Sequence, residues 1–133
     1  MLSICAVRQD EEPFYALNAT VPHPDSTADE PVTAAGLART MLALRLDELT
    51  PLERTGVRDD LAIGMPAGTR VAGKNYRSRR RRDSAALVIP PDAPPYALAV
   101  CYSGPLADGR AVGDPAIRLF ARIAAQVWSL RRP

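Results

Sequence analysis

With 133 residues, a hydrophobic share of 47% and a formal net charge of +2, the chain has the length of one domain and the composition of a globular one. The near balance of charge argues against a nucleic-acid binder, and no apolar run approaches the ~18 residues needed to span a membrane. His23 is the only histidine, and Cys5 and Cys101 lie far apart, so no metal spacing arises, no cofactor is expected, and both thiols are read as unpaired.

Residues 1–32 read as an irregular segment and residues 33–133 as an α+β unit. The run Met1–Val7 is too short for a secretory apolar region and lacks a basic start, so the chain as given is expected to stay in the cytoplasm. Gln9–Pro13 is acidic, and Val21–Pro31 has loop composition. Thr33–Leu49 is the first clear helix: Thr33 can cap it, and Leu37, Met41, Leu44, Leu42, Leu46 and Leu49 recur at steps of three and four. Thr50-Pro51-Leu52-Glu53 is a capping box with proline at the first helical position, predicting a second helix to about Ile63 that stops at Gly64.

The remainder predicts three strands and a helix. Thr69–Asn75 is the first strand and ends at Lys74, the only lysine of the chain. Arg77–Arg82 follows as a basic turn, with five arginines in six residues. Ser84–Ile89 and Tyr96–Tyr102 are apolar runs joined by Pro90–Pro95, an antiparallel hairpin. Asp114-Pro115 starts the last helix, whose apolar face is Ile117, Phe120, Ala124, Val127 and Leu130. The expected architecture is a three-stranded antiparallel sheet with the C-terminal helix packed on it and the two preceding helices beside that helix.

Three stretches, Met65-Pro-Ala-Gly-Thr-Arg-Val-Ala-Gly-Lys74, Asp83-Ser-Ala-Ala-Leu-Val-Ile89 and Pro95-Tyr-Ala-Leu-Ala-Val-Cys101, resemble in order and spacing the C-terminal half of a class A serine β-lactamase, of the penicillin-recognising serine hydrolases. The resemblance implies a β-lactam as small-molecule ligand, a fold normally completed by two more strands and the nucleophile, and enzymes that act outside the cytoplasm. Lys74-Asn75-Tyr76 stands where the family has K-T-G. By resemblance Lys74 lies near a substrate carboxylate, Asn75 replaces the threonine as a donor, Tyr76 obstructs the approach that the family glycine leaves open, and the Arg77 N–H completes an oxyanion hole. Leu17-Asn18 resembles the end of the family's E-x-x-L-N loop, whose glutamate position is occupied by Phe14; Glu12-Pro13 restores it only with two inserted residues. Read without the family, Glu12 belongs to a solvated acidic loop, Lys74 is an exposed edge lysine, and Arg77–Arg82 is a solvated turn.

Nucleophilic catalysis is where the sequence departs from the family. None of Ser3, Ser26, Ser78, Ser84, Ser103 and Ser129 has a lysine three residues on, so S-x-x-K is absent, as is S-D-N. Loss of the nucleophile in a serine hydrolase costs around 10⁶ in kcat. The expectation is therefore a shortened or inactive relative, with Lys74, Asn75, Tyr76, Arg77 and Asn18 as remnants of a binding wall. Its open sheet edge invites self-association. The alternative is a small non-enzymatic module that binds an anionic partner through Arg77–Arg82.

Overall fold

The computed structural model describes residues 1–9, 12–22, 32–43, 60–110 and 113–131. Its elements are β1 (Leu2–Arg8), β2 (Tyr15–Leu17), α1 (Ala34–Leu42), α2 (Asp60–Ile63), β3 (Arg70–Ile89), β4 (Tyr96–Asp108) and α3 (Ala116–Ser129). The fold is α+β, as expected, but the sheet has four strands in the order β2-β1-β4-β3 rather than three. The additional strands come from the segment expected to be irregular. β1 pairs antiparallel with β4 from Leu2↔Tyr102 to Arg8↔Tyr96, and β2 pairs antiparallel with β1. The Ile-Cys-Ala-Val run is buried on both faces, which explains its lack of polar alternation.

β3 reverses direction within itself. A Cβ placed on Gly73 would lie 3.0 Å from the Ala85 carbonyl oxygen and 3.3 Å from the Ala86 Cβ. In one straight strand those residues would stand about 40 Å apart. Arg80, at φ 70°, is in the left-handed region that tight turns use. The outer half of β3 therefore folds back on its inner half, which pairs with β4 from Arg81↔Ser103 to Val88↔Tyr96. The two predicted strands and the turn between them are all present inside this one element.

Period-two alternation divides the sheet's side chains between two cores. Ile4, Ala6, Ala86, Val88, Leu98 and Val100 meet Leu61, Phe120, Ala124 and Val127 of α2 and α3 on one face. Cys5, Val7, Ala85, Leu87, Ala97 and Ala99 meet Ala34, Ala35, Ala38 and Met41 of α1 on the other. So α2 packs beside α3 as expected, and α1 covers the opposite face of the sheet. Thr33 caps α1 as predicted, its Oγ1 accepting from the Gly36 N–H at 3.0 Å. The inward side of α1 is mainly alanine, and alanines on the sheet face it, which allows close approach. The predicted continuation of α1 past residue 43 and the capping box at Thr50 lie outside the described residues.

The two cysteines are free. Register gives the reason: Cys5 stands opposite Ala99 and Cys101 opposite Ser3, so the thiols are diagonal neighbours on one face. Diagonal Cβ atoms are separated by roughly 7 Å, beyond disulfide reach. Burial, together with the neighbouring Asp83 carboxylate, pushes the Cys101 thiol up to about 12.

Gly64 ends α2, its N–H donating to the Leu61 carbonyl, and lets that turn seat on α3. A Cβ there would meet the Ala121 carbonyl oxygen at 1.9 Å, and backbone cannot yield as a side-chain tip does. Gly64→Ala should lower stability by about 1–3 kcal/mol, read as a lower urea midpoint. An unchanged midpoint would mean that α2 does not sit against α3 as described.

Candidate functional site

The inner half of β3 alternates strictly. Ala85 and Leu87 face α1, so Asp83 and Arg81 share that face; Ala86 and Val88 face α3, so Ser84 and Arg82 share the other. On the outer half Ala72 belongs to the α1 side, and the same period places Lys74 and Tyr76 there. The arginine-rich run is thereby split between two environments that its composition does not distinguish.

On the α1 side lies a cavity of about 620 Å³ whose wall includes Leu37, Thr40 and Met41 of α1 and Lys74, Asn75, Tyr76, Arg81 and Asp83 of β3. Lys74 is exposed, and Tyr76 is 54% exposed. The Arg81 guanidinium lies 5.1 Å from the Tyr76 ring centroid, a cation–π contact, and donates to Asp83 Oδ2 through Nε at 3.0 Å and Nη2 at 2.7 Å. The cavity thus combines an exposed ammonium, an aromatic face and an anchored guanidinium over an apolar floor. Such a set suits a small ligand with one anionic group and one apolar body.

The α3 side holds the opposite case. Arg82 is 0% exposed, as a solvated turn could not be. Its Nε donates to Asp60 Oδ2 at 2.9 Å, and its Nη1 to Asp114 Oδ2 at 3.3 Å and to the Arg110 carbonyl at 3.4 Å. Ser84 Oγ donates to Asp60 Oδ2 at 2.5 Å. Asp114 Oδ1 accepts from the N–H groups of Asp108 and Ala116, tying the end of β4 to the start of α3. The functional reading of Arg77–Arg82 is therefore corrected at one end. Arg82 is a structural ion-pair centre, and Arg81 is tied to Asp83; Arg77, Arg79 and Arg80 are the exposed members.

The remaining sequence candidates lie elsewhere. Asn18 follows β2, with φ 48° and its Nδ2 donating to the Leu2 carbonyl at 3.1 Å; Glu12 is exposed in the β1–β2 connection. β2 and β3 are the two edges of the sheet. Three strand spacings, about 14 Å, separate them before the outer half of β3 is added. The structure brings Lys74, Asn75 and Tyr76 together at one cavity, whose lining includes neither Glu12 nor Asn18. Among the described residues no group of three His, Cys, Asp or Glu could hold a metal ion, and no helix is long and apolar enough to cross a membrane.

Sequence reasoning missed Arg82, Asp60 and Asp114. A signal existed for the first. Counting back by twos from Val88 and Ala86 through Ser84 reaches Arg82, so a buried face extended through the basic run. Asp60 and Asp114 gave no such signal, because their partner lies 22 and 32 residues away in sequence.

No family model matches the sequence, and no curated protein matches it. Solved structures do. The structure of PBP-A has a TM-score of 0.59 at 23% identity, over 81% of this chain and 44% of its own. The class A β-lactamase of the last common ancestor of Gram-negative bacteria has a TM-score of 0.64 at 22% identity, over 80% and 44%. A β-lactamase from Burkholderia ambifaria has a TM-score of 0.55 at 28% identity, over 80% and 45%. Over less than half the length of these proteins, the chain has the class A β-lactamase fold, in line with the resemblance carried by its sequence. One matched structure is a PBP-A mutant described as an acyl-enzyme complex with penicillin G.

Arg82→Met would leave the Asp60 and Asp114 carboxylates buried without a counter-charge, at a cost of about 3–5 kcal/mol. Adding Asp60→Asn and Asp114→Asn should recover part of the loss in a urea titration. Equal stability of wild type and Arg82→Met would show that the ion pairs do not hold these elements together.

Proposed function

We propose that the chain is a non-hydrolytic relative of the class A β-lactamases that holds a small carboxylate-bearing ligand, of the β-lactam class, without acylation. The observation that supports this reading is the cavity beside Lys74, whose exposed ammonium and neighbouring Tyr76–Arg81 pair offer a charged and an aromatic contact within about 620 Å³. The sequence contributes the other half of the argument, because within these 133 residues no serine stands three residues before a lysine. Ser84 borders the cavity but directs its hydroxyl to Asp60, a carboxylate bonded to Arg82, and not to a free base. Tyr76, in the place of the family glycine, narrows the edge where a substrate would lie along the strand.

A chromogenic cephalosporin should be consumed no faster than in buffer. Benzylpenicillin binding, followed by titration calorimetry, should weaken about tenfold or more in Lys74→Ala, the scale of one charge-assisted hydrogen bond. Turnover that survives purification would overturn the non-hydrolytic reading. Binding indifferent to Lys74→Ala would remove the cavity as its site.

Self-association belongs to the same proposal, and we place it at the β2 edge. There Tyr15 and Leu17 are 37% and 40% exposed, whereas the β3 edge carries cations that oppose pairing with a copy of itself. Leu17→Lys should shift a concentration-dependent sedimentation profile toward the monomer. A profile unchanged by Leu17→Lys would place any dimer elsewhere.

A further inference from the structure

Two exposed features that neither the cavity nor the buried ion pairs use meet at the tip of the β3 hairpin. The first is charge. Arg77, Arg79 and Arg80 are exposed, and among the described residues no carboxylate pairs with them. Asp83 is held by Arg81, and Asp108, opposite Arg79 in register, is held by Arg110 through Nε at 2.9 Å and Nη2 at 2.8 Å. The second is apolar surface. The register passes from Arg81↔Ser103 to Arg79↔Asp108, so β4 places Gly104, Pro105, Leu106 and Ala107 opposite Arg80 alone. This bulge is anchored. Ala107 is buried in the core on the α3 side, the Leu106 N–H donates to the Tyr102 hydroxyl at 3.2 Å, and a Cβ on Gly104 would stand 2.5 Å from that same oxygen. Beyond the bulge, a Cβ on Gly109 would lie 3.2 Å from the Arg79 nitrogen, so β4 stays against the turn. With Ala107 turned inward, Leu106 is turned out and is 43% exposed, and Pro105 beside it is exposed as well. None of these residues lines the cavity beside Lys74.

We infer that this tip docks on a bilayer surface of anionic phospholipids, with Arg77, Arg79 and Arg80 pairing with headgroup phosphates and Leu106 entering the boundary between headgroups and acyl chains. The contact is peripheral: among the described residues no helix is long and apolar enough to cross a membrane. Charge draws the tip to the surface, since each arginine near an anionic leaflet strengthens binding by about fivefold. A guanidinium answers phosphate oxygens with two parallel hydrogen bonds, while its stem lies along apolar atoms and its head stays among the headgroups. A leucine held out on a bulge gains free energy in an apolar boundary layer and none in water.

Nucleic acid fits the same tip less well. A phosphodiester backbone would answer the arginines but would hold Leu106 and Pro105 against charged oxygens. A single strand needs stacking platforms, and the exposed aromatic of this hairpin, Tyr76, has the Arg81 guanidinium over its ring. A formal net charge of +2 supplies no broad basic face for a long polyanion, whereas a bilayer contact needs only the local charge of the tip.

The test uses the full chain and sedimentation with two sets of vesicles at low ionic strength, one of equal parts phosphatidylglycerol and phosphatidylcholine, the other of phosphatidylcholine alone. Wild type should partition at least about tenfold more strongly onto the anionic set, and the difference should shrink as salt is raised. Arg79→Ser/Arg80→Gly should weaken that binding about tenfold or more. Glycine is chosen at position 80 because its φ of 70° strains other residues. Leu106→Ser should weaken vesicle binding several-fold and leave binding to heparin unchanged, a separation that a contact of charge alone would not give. Because Cys5 and Cys101 are buried, an environment-sensitive dye on Leu106→Cys reports from that position, and its emission should shift to the blue on anionic vesicles. The comparison of the two vesicle sets on wild type holds whether or not a variant folds. Equal partition of wild type onto both sets, vesicle binding indifferent to Leu106→Ser, an unshifted dye, or tighter binding of duplex DNA than of anionic vesicles at matched phosphate would each overturn the proposal.

Discussion

The guanidinium of Arg82 lies where three chain segments would otherwise have no reason to meet. Asp60 opens α2, Asp114 precedes α3, and both direct carboxylates at a side chain that leaves the sheet between them. A buried arginine is tolerable only when its charge and its donors are answered. Here two carboxylates and the Arg110 carbonyl answer them, while Nη2 has no partner, so the cluster holds the segments in position more than it adds net stability. Asp114 also accepts from the N–H groups that begin α3 and end β4. Exchange of Arg82 for another residue would remove the counter-charge of both carboxylates at once.

From that centre the arrangement of the cavity follows. With Arg82 fixed toward α3, the adjacent Arg81 must face α1, because successive side chains of a strand leave opposite faces. There it meets Asp83, two residues on, and reaches across the hairpin to Tyr76. The Tyr76 ring is thus supported by the guanidinium beside it. The floor beneath is built from Ala85 of β3 and from Leu37 and Met41 of α1, so one polar edge borders an apolar base.

How much of this was legible in the sequence depended on range. Local signals were read correctly: Thr33 as a cap, Gly64 as a stop, and the runs either side of Pro90–Pro95 as a hairpin. The resemblance identified the fold, which solved structures match over about four fifths of the chain. Long-range placement was not legible. Leu2–Val7 has no polar alternation because both its faces are covered, so it resembled neither a surface strand nor a helix. The arginine run was read by composition, where period two would have separated Arg82 from Arg81. Glu12 and Asn18 matched a family loop by letter, and neither lines the cavity beside Lys74.

The same alternation explains how one short run can serve unrelated ends. In a solvated turn, five arginines would be near-equivalent charges, each worth little. Threaded through a hairpin, they become distinct. Arg82 is withdrawn to the core, Arg81 is held against an aromatic ring and a carboxylate, and Arg77, Arg79 and Arg80 stay in water. Only the last three have exposed side chains outside any ion pair among the described residues. Functional change at this edge can therefore proceed by substitution at the exposed positions, while Arg82 is constrained by both acids that it pairs.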